Sequence, residues 1–425
     1  MVKRLYPRII DRLVAEELLP EFPAILIVGP RGCGKSTSMS QFADTILDLS
    51  TPGVRTAAIE DPDGILAAAS GRVLIDEWQE APEILGAVKR AVDTDLTSSP
   101  GRFIVTGSVR ASQQAVTWPG TGRLIRVRMS GLTQGELEDS NSYNPIDSMF
   151  GDQAPTFGHS ALSRHDYLTR IVAGRFPDAI GRSDRSRSRW FDGYVEQLVD
   201  RDAAQVATTN PRPRKLRSVL SSCVARTGQE LNKEATARDA DVAKGTADNY
   251  ITLLEDLSII QRVPAWHNKR LHRLNRSPKI HIADPGIAAH LLNVDVTALE
   301  RDATLVGQLF ETFVATELSA HLETANHRTE MFHLRNRDGN EVDLILERHG
   351  QIVALEVKSS TTVDRGDAKG LLWLQDKLGA AFHYGAVLYA GTLPFQIDDR
   401  IWAIPASALW RSPQTHDSQH SNHDD

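Results

Sequence analysis

The feature that most constrains the fold is the segment GPRGCGKS at residues 29–36, which matches GxxxxGK(S/T) at every fixed position. The apolar run AILIV at 24–28 precedes the segment and predicts a buried strand. Apolar residues at helical spacing follow the segment and predict a helix: Met39, Phe42, Ile46 and Leu49. A strand, a glycine-rich loop and a helix in this order are typical of a phosphate-binding loop in a parallel α/β domain.

The residue types in this loop suit the binding of a nucleoside triphosphate. Gly29, Gly32 and Gly34 let backbone N–H groups wrap closely around phosphates. Lys35 would place a cation on the β- and γ-phosphate oxygens, and the Ser36 hydroxyl would bind Mg²⁺. The other loop residues expected to line the nucleotide are Pro30, Arg31, Cys33 and Thr37. A chance glycine turn is the alternative, which the matching strand and helix disfavour.

A second apolar strand, VLIDE at 73–77, ends in two acids. Asp76 is predicted to hold Mg²⁺, and Glu77 to orient and deprotonate the attacking water. An acidic helix cap after a strand is the alternative. Thr106 ends a further strand and either senses the γ-phosphate or is an ordinary strand-end threonine. The remaining predicted strands of this region are TAAIE at 56–60, RFIVTG at 102–107 and RLIRVRM at 123–129.

Composition narrows the class of protein. The chain has 425 residues, 41% of them hydrophobic, which suits two or three globular domains. Its net charge of −7 gives no global attraction to nucleic acid, so such a contact would need local basic patches. Two cysteines are too few for a disulfide framework or a cysteine zinc site. Without a bilayer-length apolar run or a secretory signal, we expect a cytoplasmic protein with no membrane contact.

The pattern along the chain changes several times. A stretch at 139–159 that is rich in Ser, Asn, Asp and Gly predicts a linker. Helical periodicity follows it, and a second mixed α/β pattern comes after that. The polar C-terminal residues cannot bury a core and are predicted to be disordered. The predicted parts are an ATPase-like domain at 1–140, a helical segment at 160–285, an α/β domain at 286–410 and a tail at 411–425.

Three motifs in this order and spacing, GPRGCGKST, LIDEWQ and FIVTGS, resemble the AAA+-type ATPase module of a prokaryotic family in which a DUF4143 domain follows. The similarity continues through GRLIRVRMSGLTQGEL, GRFPDAI and YVEQLVDRD. The resemblance implies ATP and Mg²⁺ as ligands. It also matches Arg123 to the family's Gly-Arg strand, where an arginine finger completed by a neighbouring subunit is one interpretation. A solvated arginine is the other, and Arg110, Arg126 and Arg128 compete for the role.

The segment at 216–263 has the pattern of a winged helix, a module that contacts DNA through its second helix and its wing. Phosphate contact needs clustered basic residues, and these flank the segment: Arg212, Arg214, Lys215, Arg217, Lys269, Arg270, Arg273 and Arg276. Acids dilute the positive field: Asp239, Asp241, Glu255 and Asp256. The alternative is a module that packs against protein and carries solvated charges.

Carboxylates in the C-terminal region form a pattern of their own. Glu311 lies on a predicted helix, Asp343 on a strand, and Glu356 and Lys358 on one face of the next strand. This pattern resembles the PD-(D/E)xK nuclease core, although Val342 stands where the usual proline precedes the first acid. The resemblance implies a second metal site at the three acids, with the lysine positioning water. A simple charge pair, or a core that binds DNA or protein without cutting, is the alternative.

The sequence therefore predicts an α/β protein with an N-terminal P-loop parallel sheet of AAA+ type, a central helical and winged-helix segment, and a C-terminal restriction-endonuclease-like core. The favoured function is a Mg²⁺-dependent ATPase coupled to a DNA-directed, nuclease-like domain. The alternative is an ATP-controlled switch that docks a protein partner and has an inert C-terminal core. A metabolic kinase is disfavoured because no acceptor site is evident. The sequence leaves a homo-oligomer open.

Overall fold

A computed structural model of the chain describes residues 5–94, 100–108, 124–140, 143–151, 158–206, 211–268, 276–336 and 338–411. These residues form sheets of five, three and six strands. Within the described ranges, no helix is both long and apolar enough to cross a membrane. The sequence-based expectations that lie outside the described residues concern Arg110, Arg123, Lys269, Arg270, Arg273 and residues 412–425.

Five parallel strands build the N-terminal sheet: β1 (Ala24–Val28), β2 (Thr45–Asp48), β3 (Val73–Asp76), β4 (Phe103–Gly107) and β5 (Leu124–Arg128). Their order is β2-β3-β4-β1-β5. Every residue of β1 is buried and apolar, as expected for a strand covered on both faces. Because β1, β3 and β4 run in the same direction, the residues that end or follow them meet at one edge of the sheet.

Short helices and helical turns cover both faces of this sheet. One face packs with Leu66, Trp78 and Val88, and the other packs with Ile10 and Met39. The helices are α1 (Ile9–Leu13), α2 (Leu19–Glu21), α3 (Lys35–Met39), α4 (Pro52–Glu60), α5 (Pro62–Ala68), α6 (Ile84–Thr94) and α7 (Gln134–Leu137). The turns are a π turn at Val14–Leu18 and 3-10 turns at Ser40–Phe42 and Trp78–Glu80.

Two predicted elements of this domain are wrong. Residues 56–60 are the end of α4 and not a strand, because Pro52 starts a helix that the alanines continue. The helix after the glycine loop is short, and β2 pairs with β3 where the sequence periodicity had predicted more helix. Ile46 therefore lies on an edge strand, where it is 52% exposed, and does not share a helix face with Met39. Pairing with β3, which is distant in sequence, overrides the local pattern.

The predicted linker at 139–159 contains a further helix, α8 (Pro145–Met149). Ile146 and Met149 of this helix are buried in the largest hydrophobic cluster of the protein. Its Asp147 carboxylate accepts a hydrogen bond from the Arg348 guanidinium at 2.7 Å. In its described part, this segment is therefore packed structure and not a linker.

Helices dominate the middle of the chain, as the sequence predicts. They are α9 (Arg164–Ala173), α10 (Asp184–Gln197), α11 (Ala203–Val206), α12 (Pro213–Val224), α13 (Lys233–Asp239) and α14 (Lys244–Asp256), with a π turn at Leu198–Asp202. Three short antiparallel strands accompany them in the order β6-β8-β7: β6 (Gln229–Glu230), β7 (Ile260–Val263) and β8 (Lys279–Ile282). The winged-helix identity of this segment stays a prediction.

The C-terminal sheet is mixed and has six strands: β9 (Glu330–Arg335), β10 (Glu341–Arg348), β11 (Gln351–Lys358), β12 (Phe382–Tyr389), β13 (Phe395–Asp398) and β14 (Ile401–Pro405). Their order is β13-β14-β12-β11-β10-β9. The helices are α15 (Pro285–Leu291), α16 (Val296–Arg301), α17 (Ala303–Leu322) and α18 (Lys369–Leu378), with 3-10 turns at Gly379–Ala381 and Ala406–Leu409. The long helix α17 is buried in a cluster that extends from Ile146 to Trp410, so the middle and C-terminal parts share one core.

Residues 130–137, called here the junction segment, connect the three parts. The buried Arg8 guanidinium donates to the Cys33 carbonyl in the glycine loop at 2.7 Å and to a carbonyl of the junction segment at 2.8 Å. Arg175 of the middle part donates to another carbonyl of this segment at 2.8 Å. A backbone N–H of the segment donates to Glu317 of α17 at 2.8 Å. Buried polar contacts therefore lead from the glycine loop to the core of the C-terminal domain.

Candidate functional site

The glycine loop at 29–34 lies between β1 and α3, as its sequence predicts. Gly32 and Gly34 have φ angles of 76° and 102°, in the left-handed region that favours glycine. Lys35, the first residue of α3, is 4% exposed. Its Nζ donates to the carbonyl oxygens of Gly29 and Pro30, each at 3.0 Å. The loop therefore holds a positive charge close to its own backbone, which is where bound phosphates need one.

Two hydroxyls and one carboxylate meet beside this loop. Ser36 Oγ donates to Asp76 Oδ1 at 2.8 Å, and Thr106 Oγ1 donates to the same oxygen. The three residues come from α3, β3 and β4, which are brought together at the carboxyl edge of the sheet. A serine hydroxyl and an aspartate carboxylate are the hard oxygen ligands that Mg²⁺ prefers, so this arrangement fits that ion.

Glu77 follows β3 in an unusual backbone conformation, with φ 56° and ψ 51°. Its carboxylate accepts a hydrogen bond from Gln79 Nε2, which also donates to Ser108 Oγ at 3.2 Å. A left-handed conformation at a residue other than glycine costs about 1–3 kcal/mol and persists only where the surrounding structure imposes it. Such strain clusters at functional positions. It therefore favours a chemical role for this carboxylate over that of an ordinary helix cap.

A pocket of about 350 Å³ opens over these groups, which is within the usual range of about 300–1,000 Å³ for ligand pockets. Residues 34–38 and Glu77 line its floor. The N-terminal residues 5–8 form one wall, and Pro177 and Asp178 of the GRFPDAI motif contribute another. The pocket therefore lies between the N-terminal sheet domain and the middle of the chain, and both supply its surface.

Pro30, Arg31 and Cys33, which were also predicted to line the nucleotide, are not in the lining of this pocket. Arg31 pairs with Asp202 of the middle segment at 2.6 Å. Cys33 is fully buried, and its carbonyl accepts from Arg8. Thr37 lines the pocket. The loop is thus fixed both by the N-terminal residues and by the middle of the chain.

The described arginine candidates do not line the nucleotide pocket of their own chain, and an arginine finger completed by a neighbouring subunit stays a prediction. Arg126 and Arg128 are exposed on β5, which is an edge strand, and neither lines the pocket. Arg110 and Arg123 lie outside the described residues.

The four predicted C-terminal residues come together at one end of β10 and β11, two interior strands of the C-terminal sheet. β10 and β11 pair antiparallel, which places Asp343 beside Glu356. Val357 N donates to Asp343 Oδ2 at 3.0 Å, and Lys358 Nζ donates to Glu356 Oε1 at 3.0 Å. Glu311 of α17 faces this hairpin through a shared cationic partner, described next.

That partner is Lys279 of β8, which sequence reasoning missed. Its Nζ lies 2.9 Å from Glu311 Oε1, 3.1 Å from Asp343 Oδ1 and 3.2 Å from Glu341 Oε1. Its side chain is only 3% exposed. The available signal was the run KIHI, in which a lysine and a histidine alternate with isoleucines in a buried strand.

The ammonium group of Lys279 changes the expected metal site. It stands between the carboxylates of Glu311 and Asp343, which were expected to share a metal with Glu356. Among the residues that the structure describes, no group of three or more His, Cys, Asp or Glu is arranged to hold a metal ion. The lysine lies between Glu311 and Asp343, so these two acids do not face each other directly, and the metal-binding role of the three acids stays a prediction.

The charges of this cluster follow from its burial. Burial and the Asp343 carboxylate raise the pKa of Glu356 to about 8. The same two causes raise the pKa of Glu311. Burial alone would lower the pKa of Lys279, but the carboxylates of Asp343, Glu311 and Glu341 outweigh it and raise this pKa. Lys279 is therefore charged at neutral pH and neutralises part of the acidic cluster.

A parallel sheet with a glycine loop, a loop lysine and a Ser36–Asp76 pair at its carboxyl edge defines a P-loop NTPase domain. Residues 21–138 match the family described as AAA domain. Residues 164–298 match DUF8612 and residues 306–409 match DUF4143, both described as domains of unknown function. The chain therefore joins an N-terminal AAA domain to a C-terminal DUF4143 domain, which confirms the resemblance inferred from the motifs.

Comparison with individual proteins gives relatives without an assigned role. The chain is 28% identical over 396 residues to an uncharacterized protein of Mycobacterium bovis and, equally, to one of Mycobacterium tuberculosis. Each alignment covers 91% of this chain and 81% of the relative. A variant of RuvB from Thermotoga maritima has 17% identity and a TM-score of 0.27, and covers 63% of this chain and 91% of its own. A protein of Vibrio cholerae has 11% identity and a TM-score of 0.20, and the match covers 91% of this chain and 95% of that protein's chain.

Proposed function

We propose that this chain binds ATP with Mg²⁺ at the glycine loop and hydrolyses it. The observation that carries the proposal is the meeting of Lys35, Ser36, Asp76 and Thr106 at one edge of the parallel sheet, under a pocket of ligand size. Glu77 lines the same pocket and supplies a carboxylate next to the metal-binding pair. A carboxylate in this place could activate water, so it favours hydrolysis of ATP over transfer of the phosphoryl group to a second substrate.

Each residue has a distinct part in this proposal. Lys35 contributes positive charge to the phosphate oxygens, and Ser36 and Asp76 hold Mg²⁺, which when bound neutralises charge on the phosphates. Glu77 orients the attacking water and accepts its proton. Thr106 is fully buried and donates to Asp76, which supports a positioning role for this hydroxyl in place of direct contact with the γ-phosphate.

Asp76→Asn is expected to lower Mg²⁺-dependent phosphate release at least about tenfold, because an amide oxygen is a weaker Mg²⁺ ligand than a carboxylate. The rate of phosphate release should be measured as a function of Mg²⁺ concentration. The variant is expected to need a higher Mg²⁺ concentration than the wild type to reach half of its maximal rate. Asp63→Asn is a matched control, since Asp63 is an exposed acid of the same domain that pairs with Arg90. Equal rates for wild type and Asp76→Asn at every Mg²⁺ concentration would contradict the assignment.

We also propose that the C-terminal core does not cleave DNA, which is the inert-core alternative. Lys279 supports this reading, since its ammonium stands between Glu311 and Asp343, where a nuclease of the expected type would place its metal. The amine comes from β8 of the middle segment and is nearly inaccessible to solvent. A buried charge pair of this kind is costly to break, because an uncompensated carboxylate or ammonium remains.

Incubation of the protein with linear, single-stranded and branched DNA, with Mg²⁺ or Mn²⁺ and with or without ATP, is expected to leave the DNA intact. Asp343→Ala should behave like the wild type in this assay. Cleavage by the wild type that disappears in Asp343→Ala would show that Lys279 leaves the cluster and that the core is a nuclease. Cleavage that persists equally in both proteins would come from a source other than this cluster.

A further inference from the structure

A basic groove runs along the exposed side of α12. Its volume is about 800 Å³, and it is named here the α12 groove. Three arginines, Arg214, Arg217 and Arg226, line it together with serines of the same helix, and Asp239 is the single acid in its lining. The protein as a whole carries a net charge of −7, so the local positive charge of this groove is opposite in sign to the charge of the whole chain.

Two of the three arginines in the groove have no acidic partner in the described part of the chain and could bind an anionic ligand. Asp239 pairs with Arg226, which also donates to the Ser222 carbonyl at 3.0 Å. Arg214 and Arg217 are exposed, and neither forms an ion pair with any described residue. The acid in the groove is thus matched by Arg226, and the guanidinium groups of Arg214 and Arg217 remain as net positive charge.

The spacing on α12 suits a row of phosphates. Ser218 and Ser221 each lie four residues after one of the two arginines, Arg214 and Arg217, and the two serines, like the two arginines, are three residues apart, so all four share one face of the helix. The opposite face, which includes Leu216 and Leu220, is buried in the core. A helix of 12 residues is about 18 Å long, which covers about five base-pair steps at the rise of roughly 3.4 Å per step along the axis of duplex DNA. Arginine and serine are frequent donors to phosphate oxygens.

We propose that the α12 groove binds the phosphate backbone of duplex DNA. The residues that line it include no aromatic side chain, so the groove lacks the stacking platforms that proteins use for single-stranded bases. Its contacts would be to phosphates and would carry little sequence information. The proposal is independent of ATP hydrolysis and adds a partner that the proposed function does not require.

The surface around α14, which a winged helix would use to contact DNA, is less suitable for binding phosphates than the α12 groove. If the segment is a winged helix, α14 would be the helix that enters a groove of DNA. Its first lysine, Lys244, pairs with Glu234, and Lys233 of α13 pairs with Asp248 of α14 at 2.6 Å. These cations are already matched by acids on the same surface. Of the basic residues on these three helices, those without a salt bridge to a described residue are Arg214 and Arg217 of α12 and Arg238 of α13, so most of the unmatched positive charge lies on α12.

The α12 groove also leads to the carboxylate cluster. Gln229 lies at its end, and the preceding Gly228 is so close to α17 that a Cβ there would lie 3.5 Å from Glu311 Oε2. Glu230, which follows Gln229, lies opposite Lys279 in the antiparallel pairing of β6 with β8. DNA in the groove would therefore pass beside the cluster, where the Lys279 ammonium reduces the repulsion between carboxylates and phosphates.

The test is fluorescence anisotropy of a labelled duplex of about 20 base pairs, with the full chain and without nucleotide, from about 0.05 to 0.2 M NaCl. Arg214→Ala/Arg217→Ala is expected to weaken binding at least about tenfold and to reduce the slope of log K against log salt by about two, one for each lost phosphate contact. The matched control, Lys233→Ala/Lys244→Ala, removes the same charge from the same segment. It should stay within about twofold of the wild type.

Three outcomes would overturn the proposal. The wild type binds no duplex, or both double variants lose affinity equally, or the arginine variant binds with an unchanged salt slope. All four replaced side chains are at least about one-third exposed, so neither double variant should unfold, and thermal unfolding checks this. The single variant Arg217→Gln, with an expected slope change of about one, is a second measurement on the same groove. Because no nucleotide is present, failure here is distinct from failure of the ATPase proposal.

Discussion

Lys35→Ala is expected to abolish tight binding of ATP. Lys35 Nζ is held within the glycine loop by two carbonyl oxygens at 3.0 Å, so its charge lies where phosphate oxygens would bind. A charge-assisted hydrogen bond contributes about 1.5–3 kcal/mol, and loss of two of them corresponds to at least about a 100-fold rise in Kd. Titration calorimetry with ATP and Mg²⁺ measures this directly. Turnover at fixed ATP should fall to background for the same reason.

The control for this variant is Lys89→Ala. Lys89 lies on α6 of the same domain and does not line the pocket, so its removal changes the net charge equally without touching the site. Lys35→Met is a second variant that keeps the apolar stem of this nearly buried side chain and limits any loss of stability. If Lys35→Ala and Lys35→Met both bind ATP within about threefold of the wild type, the glycine loop is not the nucleotide site.

The nucleotide site was largely predictable from sequence because its residues lie next to strands with unambiguous patterns. AILIV is apolar throughout, VLI leads into Asp76 and FIV leads into Thr106, and the apolar residues of all three strands are buried. In a parallel sheet, the residues that follow such strands must meet at one edge. The loop at 29–36, Asp76 and Thr106 were therefore expected to be neighbours, and their hydrogen bonds show that they are.

Elements that depend on distant pairing were not predictable in this way. Residues 45–48 are too short and too polar to indicate a strand, and they become one only beside β3. The helix α8 lies in a polar stretch and is held by Ile146 and Met149 in a core supplied mainly by the C-terminal half. Composition alone predicted a linker there, since it carries no information about a partner surface elsewhere in the chain.

Lys279 illustrates the same limit for the C-terminal cluster. Asp343, Glu356 and Lys358 follow a short pattern within two adjacent strands, and this pattern is recognisable in the sequence. Lys279 precedes Asp343, the first acid of that pattern, by 64 residues and reaches the cluster only because β8 packs against α17. Its ammonium lies between Glu311 and Asp343, two of the acids that the pattern assigns to a metal. The pattern thus predicts which residues meet, but not the chemistry that results.

Glu77→Gln is expected to separate the binding of ATP from its hydrolysis. The substitution keeps the size of the side chain and its ability to accept a hydrogen bond from Gln79, but it removes the carboxylate that would take the proton from water. General-base catalysis contributes about 100- to 10,000-fold, so turnover should fall at least about 100-fold. The Kd for ATP, measured with Mg²⁺ by calorimetry, should remain within about threefold of the wild type.

The neighbouring Glu80 supplies the matched control. It lies in the same helical turn, three residues along, and its carboxylate pairs with Arg55 at 3.1 Å outside the pocket lining. Glu80→Gln should therefore hydrolyse ATP at close to the wild-type rate. A normal rate for Glu77→Gln would move the base to another residue, even if Lys35→Ala had lost binding. A residue that acts only in the chemical step does not contribute to ground-state affinity. If Glu77→Gln lost both ATP binding and turnover, the role of Glu77 would therefore be to maintain the shape of the pocket.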